Sequence, residues 1–168
     1  RRIRRAQIAK QKIQIFKPQI DNRYSENYVQ SHDANRVESR PVEKARDILK
    51  YVEDSTRVVG IDEAQFFDDF VVDVAQKLAY RGMHVIAAGL DMDFRGIPFG
   101  PMPKLLAVAE EVTKLSAVCV VCGGTASRTQ RLVGPSGATN EKIVVGAKEL
   151  YEARCRFCHD PYLTEQEK

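Results

Sequence analysis

The chain has 168 residues and a mass of 19.0 kDa, with 43% hydrophobic residues, 29% charged residues and a mean hydropathy of −0.36, which excludes a large multidomain machine and wholesale disorder. Lys and Arg outnumber Asp and Glu by 26 to 23, yet seven of the basic residues (Arg1, Arg2, Arg4, Arg5, Lys10, Lys12 and Lys17) precede the first acid, Asp21. A nucleic-acid footprint would spread such charge over a face, so a basic helix end is expected and no nucleic-acid partner. No run approaches the roughly 18 apolar residues of a membrane-spanning helix and nothing resembles a secretory leader, so no membrane partner and a cytoplasmic location are expected.

Residues 1–10 have helix-compatible spacing without a breaker, and since the first methionine is Met83, they are expected to be the tail of a helix begun upstream. Lys12 to Phe16 alternates polar and apolar and ends at Pro18, which predicts a strand. Asp21 to Arg40 is polar and aperiodic, a long loop. Pro41 suits a helix N1 position, followed on one face by Val42, Ala45, Ile48, Leu49 and Val52. Val58 to Ile61 forms a buried strand that delivers Asp62 and Glu63 to its C-terminal end. Phe70, Val71, Val74 and Leu78 recur at helical spacing, with Gly82 as the stop. His84 to Leu90 predicts another strand, Pro103 to Glu111 a short helix, and Val112 to Val118 a further strand. The alternation favours a parallel sheet with helices on its faces over residues 1–117. Beyond that point the character changes: Arg128 to Val133 and Lys142 to Val145 are β-prone and flank the tip Gly134 to Asn140, a hairpin-like excursion.

Cys119-Val120-Val121-Cys122 and Cys155-Arg156-Phe157-Cys158 are paired C-x-x-C knuckles with 32 residues between them. Two such knuckles bring four thiolates to one tetrahedral ion, a closed structural zinc site, and they use every cysteine in the chain. A redox pair and two disulfides are the alternatives, both less suited to a chain without a secretory signal. An appendix of about 50 residues buries little core, so the ion supplies much of its folding free energy. His159 follows the last cysteine and reads as a surface imidazole, while His32 and His84 have no partner at ligand spacing.

Val58 to Phe66 has the form of a Walker B strand, in which the Asp holds Mg²⁺ near nucleotide phosphates and the next Glu acts on a nucleophile. A strand that merely ends in two solvated acids is the competing reading. The tetrad Asp62-Glu63-Ala64-Gln65 also occurs in nucleic-acid-dependent ATPases, but the length does not provide a helicase's two α/β domains.

Asp62 to Phe66, Gly89-Leu90-Asp91-Met92-Asp93-Phe94-Arg95-Gly96-Ile97-Pro98-Phe99, the double knuckle, and Asp21-Asn22-Arg23-Tyr24-Ser25 together resemble the thymidine kinases of the cellular, zinc-containing type, with a bacterial look. The resemblance extends over nearly the whole chain. It implies a RecA-like P-loop parallel sheet flanked by helices (residues 1–117) and a small C-terminal zinc-binding domain carrying a lasso loop (residues 118–168). It also implies a strand and Gly-rich phosphate loop upstream of Arg1, a segment expected to exist outside this sequence.

By that similarity, Glu63 takes the proton of the deoxyribose 5′-hydroxyl as it attacks the γ-phosphorus of ATP. Asp62 and Asp21 help hold Mg²⁺, and Arg23 stabilises charge on the transferring phosphoryl group. Phe66, Leu90, Phe94 and Phe99 match positions around the nucleoside; Thr129, Val144, Gly146 and Tyr151 match the lasso, which reads thymine through backbone groups. Similar enzymes form homotetramers and are inhibited by thymidine triphosphate; thymidine is the expected acceptor here, with deoxyuridine as an expected second one. Two other classes stand beside this one: a nucleic-acid-stimulated P-loop ATPase with a zinc ribbon, and a non-catalytic zinc-ribbon module.

Overall fold

The computed structural model describes residues 2–19, 28–29, 37–132 and 151–161. These fall in two compact units, one within Arg1–Asp91 and Phe99–Glu110, the other within Met92–Pro98 and Glu111–Lys168.

The first unit is a four-stranded parallel sheet. Helix α1 (Arg2–Ile8) leads into β1 (Ile13–Pro18), which pairs with β4 (Arg40–Val42) on one side and β5 (Val58–Ile61) on the other. Strand β6 (His84–Ala87) lies beyond β5, giving the order β4-β1-β5-β6. All four residues of β5 are buried, as its unbroken apolar run requires of a strand covered on both faces. Gly60 is the narrow point: a Cβ there would stand 3.1 Å from the Ile15 side chain, so any larger residue would have to push the neighbouring strand's side chain aside by a few tenths of an ångström, while Ile3 of α1 lies 3.4 Å away.

Short pieces complete this unit. Strands β2 (Tyr28–Val29) and β3 (Val37–Glu38) form a small antiparallel pair within the segment expected to be loop. A 3₁₀ turn (Ala45–Asp47) runs into α2 (Ile48–Tyr51), and α3 (Phe70–Tyr80) buries Val71, Val74 and Leu78 against Phe16, Ile48 and Ile61. Each such aliphatic side chain contributes about 1.5–3 kcal/mol by leaving water. Gly82, at φ +81°, ends α3 as expected. The Gln14 side chain staples the α2–β5 connection: its amide donates to the Tyr51 carbonyl at 3.0 Å, and its oxygen accepts from the Glu53 N–H at 2.9 Å and the Thr56 hydroxyl at 2.5 Å.

Four expectations from the sequence differ in the structure. Pro41 does not open a helix: it lies in β4 opposite Lys17, at the edge of the sheet, where its missing N–H costs no ladder bond, and the helical turn begins at Ala45. Strand β6 ends at Ala87: the Ala88 N–H still donates to the Ile61 carbonyl at 2.8 Å, but its own carbonyl accepts from the Ala64 N–H at 2.9 Å. Helix α4 (Met102–Val108) starts one residue early and ends short of Glu111, and residues 112–116 form no strand.

The second unit is built of two antiparallel pairs. Strand β7 (Ala117–Val118) pairs with β8 (Thr125–Ala126), and β9 (Arg128–Arg131) pairs with β10 (Tyr151–Arg154). Local pairing across the first knuckle claims the end of the apolar run that was expected to join the parallel sheet, since closing so short a loop costs little entropy. Val112 and Leu115 are left exposed. The partner of β9 is thus β10; the predicted second strand, Lys142 to Val145, and the tip Gly134 to Asn140 lie outside the described residues. A tight turn from the segment Met92–Pro98 also belongs here: Met92 bridges Pro98, Asp93 Oδ1 accepts the N–H groups of Arg95 at 2.9 Å and Ile97 at 3.1 Å, and Gly96 takes φ +77°.

Candidate functional site

In the first unit, the acids emerge where β5 ends. Asp62 is half-buried, and its N–H continues the parallel ladder by donating to the Phe16 carbonyl at 2.9 Å. Glu63 leaves that ladder in the left-handed region, at φ 49° and ψ 41°, a conformation that costs a non-glycine residue about 1–3 kcal/mol. The strain turns the chain sharply into a 3₁₀ turn (Ala64–Phe66), which is pinned by the Ala64–Ala88 backbone bond and by Phe66 N–H donating to Glu63 at 3.0 Å. Glu63 is consequently exposed while Ala64 and Gln65, the first two residues of the turn, are buried. In an open parallel sheet the C-terminal ends of central strands are where ligands bind, and these acids stand at one.

Gln65, absent from the sequence-derived site, organises this corner. Its amide nitrogen donates to Glu63 Oε2 at 2.6 Å, and its oxygen accepts the Leu90 N–H at 3.1 Å. Phe66 and Phe99 meet edge to face, with ring centroids 5.4 Å apart at 89°. Leu90 is exposed. The structure therefore brings Phe66 and Phe99 together and ties Leu90 to the acid turn through Gln65. Asp21, Arg23, Val144 and Gly146 lie outside the described residues.

In the second unit, Phe94 lies under two guanidinium groups, Arg131 at 5.3 Å and Arg95 at 5.6 Å from the ring centroid. Thr129 and Tyr151 sit on the β9–β10 hairpin, opposite Ala153 and Arg131 respectively. His159 is half-buried rather than a surface imidazole, with Nε2 at 2.7 Å from the Phe94 carbonyl oxygen. Its place directly after a knuckle was the available signal.

The four cysteines converge as their spacing requires. Their sulfurs all lie within 4.8 Å of one another, and Cys122 and Cys155 are 3.7 Å apart. Tetrahedral zinc with bonds of about 2.3 Å needs sulfurs about 3.8 Å apart, so the donor set and its spacing fit the ion. Each knuckle is closed by its own backbone: Gly123 N–H donates to Cys119 at 2.8 Å and His159 N–H to Cys155 at 3.0 Å. The electrostatics are those of a thiolate site. Backbone N–H groups of Cys155 and Cys122 pull the Cys119 thiol down to about 6, and a backbone bond from Cys158 lowers Cys155. Hydrogen bonds to the Cys155 and Cys122 sulfurs push Cys158 up to about 12.

The family model described as thymidine kinase matches residues 1–159. The chain belongs to the thymidine kinase family. A thymidine kinase is a phosphotransferase. Four clustered cysteines agree with the zinc-containing type, and no helix among the described residues is long and apolar enough to cross a membrane.

Proposed function

We propose that this chain forms the nucleoside-phosphorylating site of a thymidine kinase, moving the γ-phosphoryl group of ATP to the 5′-hydroxyl of thymidine, with deoxyuridine as a second acceptor. The observation that carries this reading is Glu63: an exposed carboxylate held out of the sheet by a left-handed backbone, next to a half-buried Asp62 and within the turn that carries Phe66. Glu63 takes the hydroxyl proton, and its exposure leaves it free to meet a substrate. Asp62, with Asp21, would hold the Mg²⁺ that accompanies ATP and neutralises phosphate charge when bound; Arg23 adds positive charge at the transferring group. The Phe66–Phe99 pair offers an aromatic edge and face to a flat base. The zinc knuckles carry β9 and β10, from which the lasso springs.

Among the described residues, β6 pairs only with β5, and its Val85 and Ile86 are half-buried where every residue of β5 is fully buried. A further parallel strand on that edge, ending in a Gly-rich loop, would cover them and stand next but one to the acids.

The test is ATP consumption by the full-length protein with thymidine, with DNA and with neither. Formation of thymidine monophosphate supports the proposal; DNA-stimulated hydrolysis would point to the ATPase, and silence in all three to a binding module. Glu63→Gln is expected to keep thymidine binding and lose about 10²–10⁴-fold in turnover. Near-normal turnover would remove Glu63 as the base.

A further inference from the structure

Gln65 is the buried polar side chain next to the acid pair that the proposed chemistry leaves unused, being only 3% exposed. Both ends of its amide are engaged, the nitrogen on Glu63 Oε2 at 2.6 Å and the oxygen on the Leu90 N–H at 3.1 Å. The surroundings are shaped to admit it. A Cβ on Gly89 would collide with Gln65 Oε1 and also stand 3.1 Å from Met102 Sδ and 3.2 Å from the Ala64 nitrogen. A Cβ on Gly100 would collide with the Gln65 carbonyl. Two glycines thus vacate the space that one glutamine fills.

From this geometry we infer that Gln65 is a positioning residue for phosphoryl transfer, orienting the Glu63 carboxylate and locking the Leu90 backbone to the same amide. The inference rests on Glu63 being the base. The turn backbone fixes where the Glu63 Cα stands, and the Gln65 amide fixes where the carboxylate stands. By donating to Oε2 it leaves Oε1 to accept the substrate proton. Because the oxygen of the same amide holds Leu90, a nucleoside that displaces Leu90 also moves the base: recognition and chemistry share one side chain.

The experiment uses full-length protein, steady-state kinetics with ATP and thymidine, and three variants beside Glu63→Gln. Gln65→Met keeps the volume and removes both hydrogen bonds; Gln65→Glu keeps the acceptor for Leu90 but sets a carboxylate against Glu63 next to Asp62. Gly89→Ala pushes Gln65 Oε1 aside without touching either acid, which keeps the test alive if Gln65→Met does not fold. Gln65→Met and Gly89→Ala should lower kcat about 10–100-fold with KM for both substrates within about twofold, the scale of a displaced reacting group. Gln65→Glu should shift the acid limb of the kcat/KM profile to higher pH by about one unit or more, as paired carboxylates share a proton. If Glu63→Gln is inactive while the Gln65 variants keep wild-type kcat and pH profile, the positioning role is overturned and the base stands. If Glu63→Gln is active, both fall.

Discussion

Gly82 and Gly100 both take positive φ, at +81° and +48°, yet they differ in what surrounds them. A Cβ on Gly82 meets nothing within 4 Å, whereas one on Gly100 would fall under 3.0 Å from the backbone oxygen of Gln65, an atom with no rotamer through which to escape. Alanine at Gly82 therefore carries only the left-handed backbone cost of about 1 kcal/mol. Alanine at Gly100 carries that cost plus the overpacking of a rigid site, about 1–3 kcal/mol more, for a total of about 2–4 kcal/mol. For a chain of this length each kcal/mol lowers Tm by about 2–4 °C, so Gly82→Ala should lose about 3 °C and Gly100→Ala about 4–16 °C. Thermal melts followed by far-UV circular dichroism on both variants measure the difference. Equal shifts would show that Gly100 does not press on Gln65, and the close packing of the acid turn would have to be abandoned.

Zinc uptake should strengthen as pH rises. Thiolates bind the metal, Cys119 gains its proton only as pH falls through about 6, and Cys158 keeps its proton up to about 12 until metal displaces it. Competition against a chromophoric chelator should show affinity falling steeply below about pH 6, with proton release on binding; a flat profile would contradict the thiolate assignment. Chelation should strip hydrogen-exchange protection from the β9–β10 amides while those of β1 and β5 persist, and protection unchanged in the hairpin would deny the metal its folding role. Leu78→Ala, at a fully buried position, should cost about 2–5 kcal/mol in urea unfolding; under 1 kcal/mol would mean the α3 face is not core. Gln130 braces the second unit, its amide donating to the Asp160 carbonyl at 3.0 Å and accepting the Asp160 N–H at 2.8 Å. Gln130→Met should lower stability by about 1–3 kcal/mol and accelerate zinc loss, to be read in a chelator-exchange rate.

What was legible in the sequence was whatever local chemistry alone decides. Val58 to Ile61 had to be a covered strand because no other element hides four apolar residues so compactly, and the acids after it had to surface. The knuckles were legible because C-x-x-C spacing is itself a geometry. Elements set by partners were not. Pro41 satisfies a helix start and a sheet edge equally, and only the presence of β1 beside it decides. Val112 to Val118 is apolar enough for a parallel strand, but its end was claimed by a nearer antiparallel neighbour. The partners of Gln65 and the burial of His159 were not legible for a related reason. An amide or imidazole declares its role only when its partners, Glu63 and Leu90 or the Phe94 carbonyl, arrive from elsewhere in the chain.

Arg131 and Tyr151 face each other across the β9–β10 ladder, so the chain departs and returns at one point, with a cysteine knuckle on either side. Cutting the backbone anywhere in that interval would leave two fragments whose sulfurs still grip a common ion. A chain made with a break engineered there should travel as one body in native electrophoresis and separate once a chelator is added. The metal would then act as a covalent bond does in a nicked secreted protein, with the difference that it can be undone and remade by titration.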